Sequence, residues 1–449
     1  MQHPDQAGPQ QHPERFMAAS LWHRRSVFLV GFALIAGIRF GTLWLGRDSL
    51  YMDPDAYRAL ATTWRETGTY GRSDPAGTPV PTAYRPPLYP WVLSWFPATF
   101  GKETERWWVL GLHGILGIAT CMATFAIGKR LGLPYTACWL ATFWVACDPI
   151  LLRQSTLIMT ETLATFLGTI LWWWWLNDDE HVRDCWDAKS LALGLGMGVA
   201  VLCRPTALAW IALWWFGALM EKRWRWVATC ALGLVIAIAP WSVRNAFQFG
   251  RPIATTTHGG YTLYLANNPV LYRHWQSSLS REWDEDAFHA QWRNDRLHSV
   301  KRDEVTLDRL AQSLAWSTML NNPAFFLRGC AIRSGWLWAL WPSPRQASTP
   351  TQIAIAAWYV TVFCFAIAGC MQLLRSGRHL QRWLPGLLLV ASLTIVHSVY
   401  WSNMRMRAPT VPIISLLGGV GLLGCLPKKK GESPVSENVG LLGEFSRSA

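Results

Sequence analysis

Ten apolar runs, at residues 26–46, 107–127, 135–150, 157–176, 190–203, 206–220, 227–242, 352–374, 384–401 and 408–426, are nearly free of charge and follow one another through the chain. A helix of about 20 apolar residues crosses the hydrocarbon core, and shorter or tilted helices are tolerated. Inside lipid every backbone N–H and C=O needs an internal partner, so runs of this kind fold as helices. The pattern predicts an all-α polytopic membrane protein of about ten transmembrane helices.

The composition excludes the soluble alternatives. Of 449 residues 51% are hydrophobic and 15% charged, whereas an ordinary soluble domain carries about 25% charged residues. There are 30 tryptophans, and Trp44, Trp107, Trp172 to Trp175, Trp224, Trp226 and Trp401 stand near the ends of apolar runs, where an indole suits the headgroup layer. The formal charge of +13 does not describe a nucleic-acid surface, because the basic residues come in small knots between the runs. The ten cysteines show no metal-ligand spacing and lie mostly inside apolar runs, as small hydrophobes do. Ser26–Leu45 is too long for a signal-peptide core and lacks a small-residue cleavage site, so it is expected to stay as the first span after a disordered 1–25 segment.

The basic knots set the expected orientation. Arg24 and Arg25, Lys129 and Arg130, Lys222 with Arg223 and Arg225, Arg375 with Arg378 and Arg382, and Lys428 to Lys430 fall on one side if each run crosses once. That side is read as the cytoplasm, with both termini and the 427–449 tail on it, in a bacterial inner membrane. Two conditions keep the parity. Arg204-Pro205 must divide 190–220 into two helices, and Pro323–Trp341, which carries Arg328 and Arg333, must lie in the outer interface. Two large extracytoplasmic regions remain, about 47–105 and 242–351, within one 26–426 unit, and the second contains a charged, helix-like stretch from Arg281 to Asp308.

Charges at the bilayer edge are costly and are usually kept for a partner or a function. Arg85, Arg204, Arg244, Arg405 and Arg407 all fall at outer helix ends in this topology. Guanidinium holds a phosphate through two parallel charge-assisted bonds and does not deprotonate, so five of them suggest an anionic ligand at the outer interface; snorkelling to headgroups is the plainer alternative. The acids are Asp53, Asp55 and Glu161. Asp53-Pro54 is expected to start a short helix with Asp55 in its first turn and Tyr57, Leu60, Ala61 and Trp64 on one face. Asp53 as a simple helix cap and Glu161 as a helix-start acid are the structural alternatives. The proline-rich PTAYRPPLYPW at 81–91 is expected to be stiff and extended.

Taken in order, DPDAYRALA, AYRPPLYPW, TETLATF, LCRPTALAW, PWSVRNAFQFGRPI, GGYTLYLANNP and RMRAPTVPI resemble bacterial members of the GT-C glycosyltransferases, nearest to the protein-mannosyltransferase and aminoarabinose-transferase group, glycosyltransferase family 39. The resemblance runs over about residues 26–426. It implies transfer of a sugar from a polyprenyl-phosphate donor to an acceptor hydroxyl on the extracytoplasmic face, usually with inversion. The family's first-loop Asp, the general base, matches Asp53, with Asp55 as the alternative; a second acid falls near Glu161, and arginines holding the lipid phosphate fall on Arg204, Arg405 or Arg407. A single Asp53-Pro54-Asp55 stands where many eukaryotic members carry an adjacent Asp-Glu pair, which speaks against a eukaryotic-type acceptor.

The residues agree with this chemistry, since deprotonating a hydroxyl needs a carboxylate in hydrogen-bond reach and a departing phosphate needs fixed positive charge. No Gly-rich nucleotide cradle is present. GGYTLYLANNP, with His258 before it, reads as a loop over the site in which Asn268 bonds sugar hydroxyls; an ordinary surface turn is the alternative. No cofactor and no metal ligand is assigned, and the need for a divalent metal is left open. The partners expected are the lipid-linked donor, an acceptor protein, lipid or glycan, and membrane lipids, with no nucleic acid. An O-antigen ligase or polymerase is the nearest enzymatic rival. A transporter would place its charges mid-span and show related halves, and a scaffold for surface polymers would leave Asp53 dispensable.

Overall fold

The computed structural model describes residues 13–96, 101–177, 184, 186–277, 283, 285–297, 303–343, 347–377 and 380–425. The expected disordered start and the 427–449 tail lie outside them, apart from the backbone from Pro13 onward. Among the described residues the chain is helical in eighteen segments: α1 (Pro13–Leu45), α2 (Tyr57–Thr67), α3 (Leu88–Ser94), α4 (Gly101–Arg130), α5 (Tyr135–Cys147), α6 (Pro149–Ser155), α7 (Glu161–Asn177), α8 (Ala188–Cys203), α9 (Ala207–Met220), α10 (Trp224–Phe249), α11 (Gly259–Ala266), α12 (Pro269–Ser277), α13 (Glu285–Leu297), α14 (Glu304–Asn321), α15 (Pro323–Leu337), α16 (Thr349–Ser376), α17 (Leu380–Val399) and α18 (Val411–Cys425). Two 3-10 turns, Arg47–Tyr51 and Met404–Thr410, follow α1 and precede α18.

Each expected span has its helix. Among the described residues six helices are long and apolar enough to cross a membrane, and α5 with α6 forms a seventh candidate bent by 48°. The other three, α7, α8 and α9, have 17, 16 and 14 residues. The chain is a multi-pass membrane protein. Arg204-Pro205-Thr206 does divide 190–220 into two helices, because Pro205 has no N–H to continue α8.

The core runs through the apolar helices: α8 packs on α10, α16 on α18, α5 on α4 and α18, and α9 on α17. Small residues permit the close approach, as is usual where lipid supplies no hydrophobic drive between helices. A Cβ on Gly194 would collide with the Cys230 carbonyl, and one on Gly198 with Ala237 and Leu234, so α8 meets α10 backbone to backbone through a Gly-x-x-x-Gly pair. The tryptophan reading is half right. Trp44, Trp107, Trp174 and Trp224 face outward, but Trp172, Trp175 and Trp226 are buried in the main core cluster, because helical rotation turns neighbouring positions to opposite faces.

One end of the bundle is marked by basic residues. Arg382 donates to the Arg130 carbonyl at 3.3 Å, which brings two of the basic knots together. The opposite end carries the Asp53 segment, the start of α7 and the break between α8 and α9.

The helical membrane class holds, and the first outer region adds a small antiparallel hairpin in which Gly71–Ser73 and Pro79–Pro81 pair as β1 and β2, with Arg72 opposite Val80. One expectation for this region is corrected. The proline-rich stretch is extended only at β2, and 88–94 closes into α3. Pro87 sits at its N-cap and Pro90 in its first turn, positions where a missing N–H costs no helical bond.

Replacing Gly194 by valine is expected to cost about 1–3 kcal/mol by forcing α8 from α10, read as an earlier thermal unfolding transition of the detergent-solubilised protein; an unchanged transition contradicts the backbone contact.

Candidate active site

The first acidic group lies on the turn before α2. The helix begins at Tyr57, later than its sequence suggests, because Ala56 takes a left-handed conformation (φ 60°, ψ 26°) at the N-cap. A non-glycine residue there is strained. The consequence is that Asp55 is not in the first helical turn but points away from it, and its Oδ1 pairs with Arg85 Nη2 at 2.7 Å. Asp53 reaches back over the helix start, where its Oδ2 accepts the Ala59 N–H at 3.0 Å. Its other oxygen, Oδ1, is buried without a hydrogen-bond partner. Asp53 therefore braces the helix with one oxygen and leaves the second free.

Tyr57 is buried on the inner face of α2, its ring edge-on to Tyr89 with centroids 5.4 Å apart. Tyr89 donates its hydroxyl proton to His113 Nε2 at 2.8 Å, while His113 Nδ1 donates to the Ser155 carbonyl at 2.7 Å. This chain ties α3 to α4 and α6 and seats α2 on the membrane helices. Burial holds the Tyr57 proton on, well above the usual phenol range, and Arg85, Asp55, Glu161 and Arg204 are the charges that bear on it. Tyr57 is thus within electrostatic reach of both the Asp55–Arg85 pair and a second charged cluster.

That cluster is built on the start of α7. Glu161 is 1% exposed, and its Oε1 lies 3.3 Å from Arg204 Nη1 and 3.7 Å from Arg405 Nε. Arg204 comes from the α8–α9 break, where Pro205 ends the helix and turns the chain, and Arg405 from the 3-10 turn before α18. A lone carboxylate at this depth would be prohibitively costly, and two guanidinium groups compensate it. Glu161 Oε2 remains buried and unbonded. Sequence reasoning missed His397 and Ser402 here. Glu161, Arg204 and Arg405 are the charges that bear on His397; His397 Nδ1 donates to the Trp401 carbonyl at 2.9 Å, leaving Nε2 buried and unpartnered, as is the Ser402 hydroxyl. A titratable side chain inside an apolar run was the available signal for His397.

His258 lies at the first group. Its ring packs on Tyr84 with centroids 4.2 Å apart, next to Arg85, which lies 5.2 Å over Tyr84. Burial, then Arg85 and Arg72, hold the imidazole well below its ordinary range, so it is neutral at neutral pH. Burial pushes Tyr84 up to about 12.

Three predicted ligand residues are placed elsewhere. Arg244 spends its guanidinium on the carbonyls of Thr82 at 2.9 Å and Tyr70 at 2.6 Å and on Asn245, between the rings of Tyr70, Trp241 and Phe249. Arg407 meets different partners from Arg405; it is buried, donates to the carbonyls of Leu337 and Ala339 at 2.7 Å each and lies 4.4 Å over Tyr359. Asn268 is buried with its amide donating to Tyr264 and Leu265 carbonyls and its oxygen accepting the Leu271 N–H, which caps α12 and leaves nothing for a sugar. Among the described residues no group of three or more His, Cys, Asp or Glu side chains is placed to hold a metal ion.

Comparison with known proteins gives the family context. The model of the dolichyl-phosphate-mannose-protein mannosyltransferase family matches residues 86–248, less than half of the chain but including Arg85's neighbours, Glu161, Arg204 and Arg244. An oligosaccharyltransferase from Archaeoglobus fulgidus, crystallised with a tethered acceptor peptide containing the NVT sequon, superposes with a TM-score of 0.53 at 14% identity, over 90% of this chain and 50% of its own. That superposition shows a shared fold. A second structure of the archaeal oligosaccharyltransferase AglB, with an inhibitory peptide and a dolichol-phosphate, gives 0.51 at 13% identity, over 90% of this chain and 51% of that one. ArnT from Cupriavidus metallidurans, bound to undecaprenyl phosphate, matches at 15% identity over 88% and 78% of the two chains, but its TM-score of 0.40 is too low to carry an argument. At these identities the likeness is one of fold, and this chain spans about half the length of the oligosaccharyltransferases it matches. No curated protein sequence matches it significantly.

The two arginines of the Met404–Thr410 turn are expected to differ sharply. Arg407→Met strips buried carbonyls of their donor and should cost about 2–4 kcal/mol, whereas Arg405→Met, at a partly exposed position, should stay within about 1 kcal/mol of the parent protein. Thermal unfolding in detergent compares them, and equal losses contradict the assignment.

Proposed function

We propose that this protein is a GT-C glycosyltransferase, one that transfers a sugar from a polyprenyl-phosphate donor to an acceptor hydroxyl at the extracytoplasmic face of a bacterial inner membrane, with both termini in the cytoplasm. The observation that carries the proposal is the free, buried Oδ1 of Asp53 beside an Asp55 already committed to Arg85. A carboxylate fixed by one hydrogen bond and open on its other oxygen is suited to accept a proton; one locked to a guanidinium at 2.7 Å is not.

In this reading Asp53 Oδ1 takes the acceptor hydroxyl proton as the acceptor oxygen bonds to the anomeric carbon. The bond from that carbon to the phosphate oxygen breaks, and its electron pair leaves with polyprenyl phosphate. Attack from the face opposite the phosphate inverts the centre. Arg204 and Arg405 meet the phosphate as its charge grows, and Glu161 aligns them from below without matching their combined charge. Arg85 steadies Asp55 and Tyr57 at the boundary between base and phosphate, and His258 is a neutral hydrogen-bonding group for the sugar or the acceptor. The sidedness is supported by the basic knots at the other end of the bundle, where Arg382 meets Arg130.

The test is turnover of a panel of polyprenyl-phosphate sugars by purified protein in detergent with native lipid. Asp53→Asn should lower kcat by about 100- to 10,000-fold, the range for loss of a general base, with donor binding retained. Asp55→Asn should do less, chiefly through KM. Equal turnover by both variants and wild type would remove Asp53 from the chemistry.

A further inference from the structure

Glu304, at the start of α14, joins two segments that are far apart in sequence. Its Oε2 accepts the Thr82 hydroxyl at 2.5 Å, and its Oε1 accepts the Ala83 N–H at 2.8 Å and the Thr257 hydroxyl. Thr257 N–H donates in turn to the Ala83 carbonyl at 3.0 Å. One helical turn further on, Asp308 Oδ1 accepts the Gly260 N–H at 2.7 Å, and a Cβ on Gly260 would collide with the Asp308 carbonyl. The acidic face of α14 therefore grips 257–260 with one hand and 82–83 with the other.

The residues between and beside those grips are site residues. Tyr84 and Arg85 follow Ala83 directly, and His258 follows Thr257. From Thr82 to Pro87 the backbone is neither strand nor helix, so side-chain bonds decide where it lies. Arg244 holds the same stretch from the other side through the Thr82 carbonyl, and the Tyr70 hydroxyl donates to the Arg85 carbonyl at 2.9 Å.

We propose that Glu304 is a positioning residue for the transfer reaction: by closing the first outer segment onto the second it fixes Arg85 toward Asp55 and His258 against Tyr84. It touches no reacting group. The role rests on the transferase reading above, and the experiment separates the two.

The full-length protein in lipid-containing detergent is compared with Glu304→Ala and Glu304→Gln by hydrogen–deuterium exchange and by donor turnover. Removing the carboxylate should speed exchange over 82–85 and 257–260 together, with the membrane helices unchanged, and lower kcat by about tenfold or more, the scale expected when reacting groups are displaced by a fraction of an ångström. Glutamine should stay within about threefold, since its oxygen can accept from Ala83 and Thr257 and its amide can donate to a rotated Thr82 hydroxyl. If Glu304→Ala does not fold, Thr257→Val removes a single donor and should loosen the same two segments. Unchanged exchange at 82–85 overturns the clamp, and faster exchange with unaltered kcat overturns the positioning role. A wild type that turns over no donor while the two segments still loosen together removes the transferase reading, and with it the role in the reaction, but leaves the contact intact.

Discussion

A helix that stops inside or beside an apolar layer leaves carbonyls that neither water nor its own chain can satisfy, and in this protein guanidinium groups take them. Arg39 donates to Val145 just before the α5–α6 bend, Arg407 to Leu337 and Ala339 after α15, and Arg333 to Ala266 and Ser398 at the ends of α11 and α17. Arg244 does the same for the hairpin carbonyls. These donations let the helices break and turn near one end of the bundle, where a pocket can form.

Against that background the arginines that face carboxylates stand apart. Arg85 pairs with Asp55, and Arg204 and Arg405 share Glu161. An ion pair taken out of water is of little use for stability in itself, because desolvation offsets most of the Coulomb gain. Two positive groups on one buried acid leave a surplus of positive charge, and that surplus is complementary to an anion. The proposed division of labour follows: Asp53 manages a proton, and Arg204 and Arg405 manage a phosphate.

Much of this was legible in the sequence for physical reasons. The apolar runs marked every helix long and apolar enough to cross a membrane, since lipid permits no other backbone solution there, and Arg204-Pro205 marked the α8–α9 break because proline cannot donate. The buried helical turn after Asp53 followed from the spacing of Tyr57, Leu60 and Ala61. The site was legible only in part. Arg204, Arg405 and Arg407 look alike in sequence, and a single residue separates Arg405 from Arg407, yet on their 3-10 turn these two meet different partners. Asn268 sits in a segment that reads as a surface loop, but it is consumed in capping α12. Glu304 gave no local signal, because two of its donors are 222 and 221 residues away.

The sequence by itself determined that the chain lives in a membrane, that it is built of helices, and which charged residues sit at helix ends, because each of these depends on local hydrophobicity and on groups within a few positions of one another. Only the tertiary structure decided which acid keeps a free oxygen, which arginines face carboxylates and which face carbonyls, and that the two outer segments close on one carboxylate. Those outcomes depend on which partners reach a group first in three dimensions, and hydrogen-bonding capacity, once spent on a backbone carbonyl, is not there for a ligand.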